Sequence, residues 1–150
     1  MNSYVKWYQR AVWFGISYNM AFAFFALYRP ATLQRLMRLQ LLDATVWLRN
    51  VGMLLVLVSM FNAGAALDPT RYALYSYSVA AARLIAGFFF FRVSYFNPHR
   101  SSENPRAFLP LFVFDTTMGV LCGTLLHLGL RGGQNQSLLE VASRRGRTRS

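Results

Sequence analysis

Acidic residues are scarce in this chain of 150 residues, which has 5 aspartates and glutamates against 16 lysines and arginines. Cysteine is scarcer still: Cys122 is the single one, so no intrachain disulfide or Cys-x-x-Cys motif can form. The sequence also lacks Gly-x-Ser-x-Gly, a glycine-rich phosphate loop and His-Glu-x-x-His, the motifs of common hydrolases, nucleotide-binding proteins and metalloproteases. We therefore predict a protein that is not an enzyme and that has no metal site and no cofactor.

Apolar residues, in contrast, are abundant and occur in long runs. The chain is 55% hydrophobic, 16% aromatic and only 14% charged. Runs of about 20 residues are long enough to cross a bilayer as helices, and such runs cover residues 11–28, 46–66, 72–91 and 108–130. The sequence therefore predicts an all-α integral membrane protein, a bundle of four transmembrane helices joined by short loops.

The first span follows Lys6 and Arg10 and resembles the start of a secretory signal. It ends in Tyr28-Arg29-Pro30 without a small-x-small cleavage site, so we predict an uncleaved span. Residues 30–42 are too short and too charged to span, and they place their leucines on one helical face. This pattern fits an amphipathic helix in the headgroup region or an ordinary surface helix equally well.

The chain divides by composition into two parts. We predict a four-span transmembrane domain over residues 1–133, ended by Gly132-Gly133, and a basic, flexible tail over residues 134–150. The net charge of +11 is spread over loops and this tail. That distribution favours membrane lipids with anionic headgroups or an acidic protein surface as partners, and not nucleic acid. A basic tail is hard to translocate, so we expect both termini in the cytoplasm.

Small residues recur at helical spacing within the spans. Such stripes let two helix backbones approach closely. We therefore predict packing contacts between the helices at Gly15, Gly52, Ser59, Ala63, Ser76, Ala80, Gly87, Gly119 and Gly123.

Two charged residues stand inside the third and fourth spans. Arg83 in hydrocarbon would cost about 2.5–3.5 kcal/mol, so it should face protein. At ~1.5 Å per residue, Arg83 lies about 16 Å and Asp115 about 21 Å from the same membrane side, which is close enough for an ion pair. The polar residues that could complete its hydrogen bonds are Asn19, Asn62 and Thr116. The pair could fix the helix register, or it could serve a proton or substrate relay.

The fourth span carries one histidine, His127. It follows Asp115, Gly119 and Gly123 at successive spacings of four, so all four residues share one helical stripe. A lone histidine in a span can ligate a haem or a chlorophyll-type pigment, or it can simply form a hydrogen bond at a helix interface. The sequence is compatible with either role for His127.

Three groups of residues carry a resemblance to a known family. They are Trp47-Leu48-Arg49 with Gly52, the turn Asp68-Pro69-Thr70-Arg71-Tyr72, and Arg83 within the third span. Over residues 46–92, mainly, the chain resembles the small four-helix bacterial membrane proteins grouped as DoxX-like. The resemblance implies a four-helix bundle in the bacterial inner membrane, and some members of this group are accessory subunits of membrane redox complexes. It implies no catalytic residue.

These features lead to three functional hypotheses. The first is a non-catalytic accessory or assembly subunit of a larger membrane complex, such as a redox or photosynthetic one, or a homo-oligomer. The second is a small proton-coupled transporter that uses Arg83 and Asp115. The third is a pigment- or haem-binding subunit that uses His127.

Overall fold

The structure, a computed structural model, describes residues 3–37, 44–96 and 108–147. Over these ranges the chain forms five α-helices, which are α1 (Ser3–Tyr28), α2 (Pro30–Met37), α3 (Ala44–Leu67), α4 (Ala73–Phe96) and α5 (Leu109–Arg147). All but α2 are long and apolar enough to cross a membrane. The predicted all-α bundle of four membrane-spanning helices is confirmed.

The helices pack as two closely associated pairs. The most extensive contacts join α1 to α3 and α4 to α5, and α1 also packs against α5. Helices α3 and α4 are neighbours in sequence but contact each other far less. The second and third spans are therefore joined by a short turn, as expected, while each finds its main packing partner elsewhere.

The interior of the bundle contains two clusters of buried apolar residues. One includes Tyr8, Val12, Met118 and Leu126 and ties α1 to α5. The second ties α1, α2 and α3 to the start of α5, and consists of Ala26, Leu33, Leu48 and Phe108.

The outer faces of the bundle are apolar too. Leu74, Ile85 and Phe88 are exposed over 85%, 70% and 66% of their surfaces. In water such exposure would be costly, but lipid tails solvate these side chains as well as a protein core does. The exposed faces are therefore consistent with a bundle surrounded by bilayer.

The turn between α3 and α4 is organised by Asp68. Its Oδ1 accepts hydrogen bonds of 3.0 Å from the Thr70 hydroxyl and from the Arg71 backbone N–H. Both partners lie in the turn itself, before α4 begins at Ala73, so the Asp68 side chain holds the turn closed by bonding groups two and three residues ahead, as aspartate commonly does in turns. The hydrogen bond from Arg71, followed by that from Thr70, lowers the pKa of the Asp68 carboxyl below its usual value. Gln9 of α1 donates to the Leu67 carbonyl, so the preceding helix end is capped as well.

Glycines occupy the places where helix backbones come closest. A Cβ added to Gly119 would lie 2.8 Å from the Leu84 side chain and 3.1 Å from the Ala80 carbonyl oxygen, across the α4–α5 contact. A Cβ on Gly52 would lie 3.0 Å from that of Ala26, across the α1–α3 contact. Larger residues at these positions would push the helices apart.

Helix α5 is longer than the sequence predicts. It continues from Leu109 to Arg147, so the prediction that Gly132-Gly133 ends the helix is wrong. Each glycine costs about 1 kcal/mol relative to alanine in a helix, but residues 134–147 include leucine, glutamate, alanine and arginine, which favour helix. The helix-forming residues on both sides outweigh the local glycine signal.

The predicted amphipathic helix is present as α2, which covers Pro30–Met37. Leu33 is buried against the bundle, whereas Leu36 is 80% exposed. The rest of that predicted segment, residues 38–42, lies outside the described residues. So do most of the loop after α4, at residues 97–107, and residues 148–150 of the tail.

Candidate functional site

An ion pair links α4 and α5 inside the bundle. Arg83 Nη1 donates a hydrogen bond of 2.6 Å to Asp115 Oδ1. The two side chains are only 11% and 14% exposed. A hydrogen bond between two charged groups is stronger than one between neutral groups, and away from water the pairing also offsets much of the desolvation of each charge. The structure thus brings together the two charged residues that the sequence places at similar depth.

Helix α1 supplies the space that the arginine occupies. A Cβ added to Gly15 would lie 2.7 Å from Arg83 Nη2 and 3.3 Å from the guanidinium carbon. The guanidinium carbon also lies 5.6 Å from the centroid of the Phe114 ring, where the negative face of a ring attracts a cation. Phe114 in turn stacks on Tyr18 of α1 at 4.0 Å between ring centroids. Three helices therefore hold this one side chain.

A cavity of about 320 Å³ lies beside the ion pair. Its lining comes from every helix, and Arg83 and Asp115 form part of its wall. Most other lining residues are apolar or aromatic. On α3 the lining residues Trp47, Leu54 and Val58 are 44%, 58% and 36% exposed. The cavity therefore opens sideways between α3 and α4, the helices that contact each other little.

Two asparagines give this cavity polar walls. Asn19 of α1 and Asn62 of α3 both line it, although these residues are only 6% and 7% exposed. Neither amide is hydrogen-bonded to the ion pair or to any other residue in the described ranges. Thr116, the third residue expected to support the pair, instead packs its hydroxyl and backbone against Gly87. The predicted hydrogen bonds from these residues to the ion pair are not formed.

The predicted packing residues lie at helix contacts, with differing roles. Ser76 is fully buried, and its hydroxyl donates to the Pro69 carbonyl while its own carbonyl accepts from Tyr8. Ala80 belongs to the first buried apolar cluster, and Ala63 packs against that cluster. A Cβ on Gly123 would meet Ala80 at an ordinary 3.9 Å. Ser59 is also buried, and its hydroxyl has no hydrogen-bond partner within the described part of the chain.

His127 lies on an exposed face of α5. Its Nδ1 shares a hydrogen bond of 3.3 Å with the Tyr77 hydroxyl of α4. The side chain thus already acts as a hydrogen-bonding residue between two helices. No group of three or more potential metal ligands occurs among the residues that the structure describes.

Comparisons with protein-family models, with curated proteins and with solved structures found no match for this chain. The resemblance to DoxX-like proteins over residues 46–92 therefore stays a prediction.

Several features of the site are absent from the sequence-based prediction. The small-residue stripe predicts that Gly15 packs against a helix backbone, whereas in the structure it faces the Arg83 guanidinium. Gly129, where a Cβ would lie 2.9 Å from Val5, is a further close contact between α1 and α5. Its spacing of ten residues from Gly119 interrupts the four-residue stripe, so periodicity alone does not select it.

Proposed function

We propose that this chain is a non-catalytic accessory or assembly subunit of a larger membrane complex, such as a redox or photosynthetic one. The observation that carries the proposal is the length of α5. This 39-residue helix exceeds its 24-residue candidate span by 15 residues, or about 22 Å of helix at 1.5 Å per residue. Its sequence ends with Arg144, Arg145 and Arg147. A basic helix beyond the span suits an acidic subunit surface or anionic headgroups.

The ion pair supports the same proposal. Arg83 and Asp115 contact each other directly, and such a pair can fix the register of two helices without taking part in a reaction. Small residues on α1, α3, α4 and α5 bring these helices together. These contacts fix the position of α5 in the bundle, so that the end of α5 can contact a partner.

We further propose a location in the bacterial inner membrane with both termini in the cytoplasm. Four crossings return the chain to the side on which it started. Basic segments next to spans are retained preferentially on the cytoplasmic side. The α5 extension carries three arginines, Arg144, Arg145 and Arg147.

The test is co-purification of the complex from native membranes with a charge-removal variant. We expect Arg144→Gln/Arg145→Gln/Arg147→Gln to insert normally but to lose its larger partners. The matched control, Arg29→Gln/Arg35→Gln/Arg49→Gln, removes the same charge from exposed positions elsewhere and should retain them. Equal recovery of partners by both variants would show that the α5 extension is not the attachment site.

A second function, small proton-coupled transport, is favoured by one observation: the ion pair lines a cavity and is not sealed between helices. Its test is substrate-driven proton flux in proteoliposomes with the full chain. Flux that disappears in a correctly folded Asp115→Asn variant would support transport over the accessory role. No flux with any candidate substrate class would leave the accessory role as the better explanation.

The pigment or haem hypothesis has no comparable support, because His127 already bonds Tyr77. It remains a prediction with a simple test. A visible absorption band in the purified protein that is lost in His127→Leu would establish it, and its absence in protein taken from native membranes would count against it.

A further inference from the structure

The cavity beside the ion pair has one polar end and one apolar side. The polar groups come from Asn19, Asn62, Arg83 and Asp115, while α3 and α4 contribute apolar walls. A volume of about 320 Å³ falls at the lower end of the range typical of small-molecule sites, about 300–1,000 Å³. A few convergent polar groups in an apolar pocket are the usual composition of a ligand site.

The two amides indicate that the polar end is built to meet a ligand. Both residues are more than nine-tenths buried, both line the cavity, and neither side chain has a hydrogen-bond partner among the described residues. A carboxamide carries two N–H donors and an accepting oxygen. Leaving such a group unpaired in an apolar environment is unfavourable, so a molecule that hydrogen-bonds to it would be held firmly.

The charges of the cavity select against ions. Arg83 and Asp115 are already paired at 2.6 Å, so the wall carries balanced charge. An anionic head would approach the Asp115 carboxylate, and a cationic head would approach the Arg83 guanidinium. Either would enter a poorly solvated site without a free counter-charge. A neutral head with a hydroxyl or carbonyl group can instead bond to the amides.

The opening indicates where the rest of the ligand lies. Trp47, Leu54 and Val58 line the cavity and are also partly exposed, so the cavity is open along α3, where lipid surrounds the bundle in a membrane. A molecule that enters there comes from the bilayer and can leave its apolar chain between α3 and α4. We propose that the cavity binds a neutral, single-chain amphiphile, with its head at Asn19 and Asn62 and its chain directed toward the lipid.

The experiment uses the full-length protein in phosphatidylcholine nanodiscs. The probe is 1-dodecanol with a diazirine in mid-chain and a terminal alkyne, and photolabelled peptides are identified by mass spectrometry. We expect saturable labelling of cavity-facing positions of α3 and α4. Unlabelled 1-dodecanol should displace the probe at concentrations about tenfold lower than dodecyl sulfate or dodecyltrimethylammonium. These three competitors share the chain and differ in the charge of the head.

Two matched pairs of variants locate the site. Asn62→Leu removes an amide from the cavity and should weaken binding about tenfold, whereas Asn50→Leu changes an exposed amide of the same helix outside the cavity. Ala86→Phe fills the cavity and should abolish saturable labelling. Ala81→Phe adds the same ring to an exposed face of α4 and should bind normally.

Three results would overturn the proposal. They are labelling that does not saturate, labelling that is unchanged in Ala86→Phe, and stronger displacement by either ionic competitor than by 1-dodecanol. Because the assay needs only the purified chain, its outcome is independent of whether a larger complex exists.

Discussion

At residue 15 the lack of a side chain decides how the bundle holds its buried charge. Arg83 Nη2 occupies the space that a Cβ of residue 15 would need. The opposite end of the guanidinium is held by Asp115, so the side chain cannot withdraw without loosening the ion pair. Gly15 is therefore a supporting residue of the charged site as well as a small residue in a packing stripe.

We predict that Gly15→Ala destabilises the folded protein by up to about 2 kcal/mol, the cost of overpacking less the gain in helix propensity. The matched control is Gly64→Ala, where the nearest atom to the added Cβ is Tyr75 Cε1 at 3.9 Å. That control should be neutral or slightly stabilising. Thermal unfolding in detergent micelles, followed by circular dichroism, measures both. Equal unfolding midpoints for the two variants would contradict this role of Gly15.

We predict that removing one partner of the ion pair lowers the stability of the folded protein strongly, whereas replacing both partners by apolar residues lowers it little. Asp115→Leu leaves Arg83 without its partner, and Arg83→Met does the same to Asp115. Removing one partner of a buried pair costs roughly 3–5 kcal/mol, whereas replacing both by apolar residues is often neutral. We expect the double variant to unfold at a higher temperature than either single variant. Additive effects of the two substitutions would show that the pair contributes no coupling energy.

Among the elements, α4 and α5 depend on one close crossing. A Cβ on Gly87 would overlap the Thr116 hydroxyl and lie 3.2 Å from its backbone nitrogen. A backbone atom in a helix cannot move aside as a flexible side chain can, so we predict that Gly87→Ala costs about 1–3 kcal/mol of stability. The same unfolding assay, with Gly64→Ala as control, tests this. A Gly87→Ala protein as stable as the control would mean that α4 and α5 are not so closely packed.

The α3–α4 turn should weaken in acid. Its Asp68 carboxyl has a pKa below the unfolded value because Arg71 and Thr70 donate hydrogen bonds to it. The stabilisation is therefore fully present above the unfolded pKa of about 3.9. It is lost as the pH falls through the lower folded pKa. We expect the unfolding midpoint of the protein to exceed that of Asp68→Asn at pH 7, with the difference vanishing at the acidic end. A difference independent of pH would contradict the assignment.

The sequence predicts the spans and the ion pair well because each rests on a strong physical constraint. Apolar runs of sufficient length identify the four spans. Arg83 has to face protein, and the regular helical rise places Asp115 at a similar depth. The pairing of helices is harder, because small-residue stripes on every span are compatible with several partners. The short turn at Asp68–Tyr72 makes α3 and α4 neighbours in sequence, whereas the extensive contacts are α1–α3 and α4–α5.

The cavity could not be predicted from the sequence, because the sequence does not determine which helices pair. It exists because α3 and α4 stand apart, which is a consequence of how the other helices pair. The sequence identifies Asn19 and Asn62 as polar core residues, but it does not show that they line an opening. The end of α5 is not predictable for a different reason: a glycine pair is a local stop signal, and the surrounding helix-forming residues outweigh it.

The whole molecule has two unusual features, one within the membrane-spanning bundle and one beyond it. The bundle contains a charged site and a cavity between α3 and α4, while the end of α5 continues beyond its span. The first feature suits a lipid-derived ligand and the second suits a protein or headgroup surface. A subunit that carries both could bind a membrane component and hold it near a larger assembly.

The most direct test of the accessory role is extraction of native membranes in a mild detergent, followed by native-gel separation and mass spectrometry of the band that contains this chain. We predict that the chain co-migrates in stoichiometric amount with larger membrane subunits. The control is the same extraction in a harsh detergent, which should release the chain alone. A small band holding only this chain under mild conditions would contradict the proposed function.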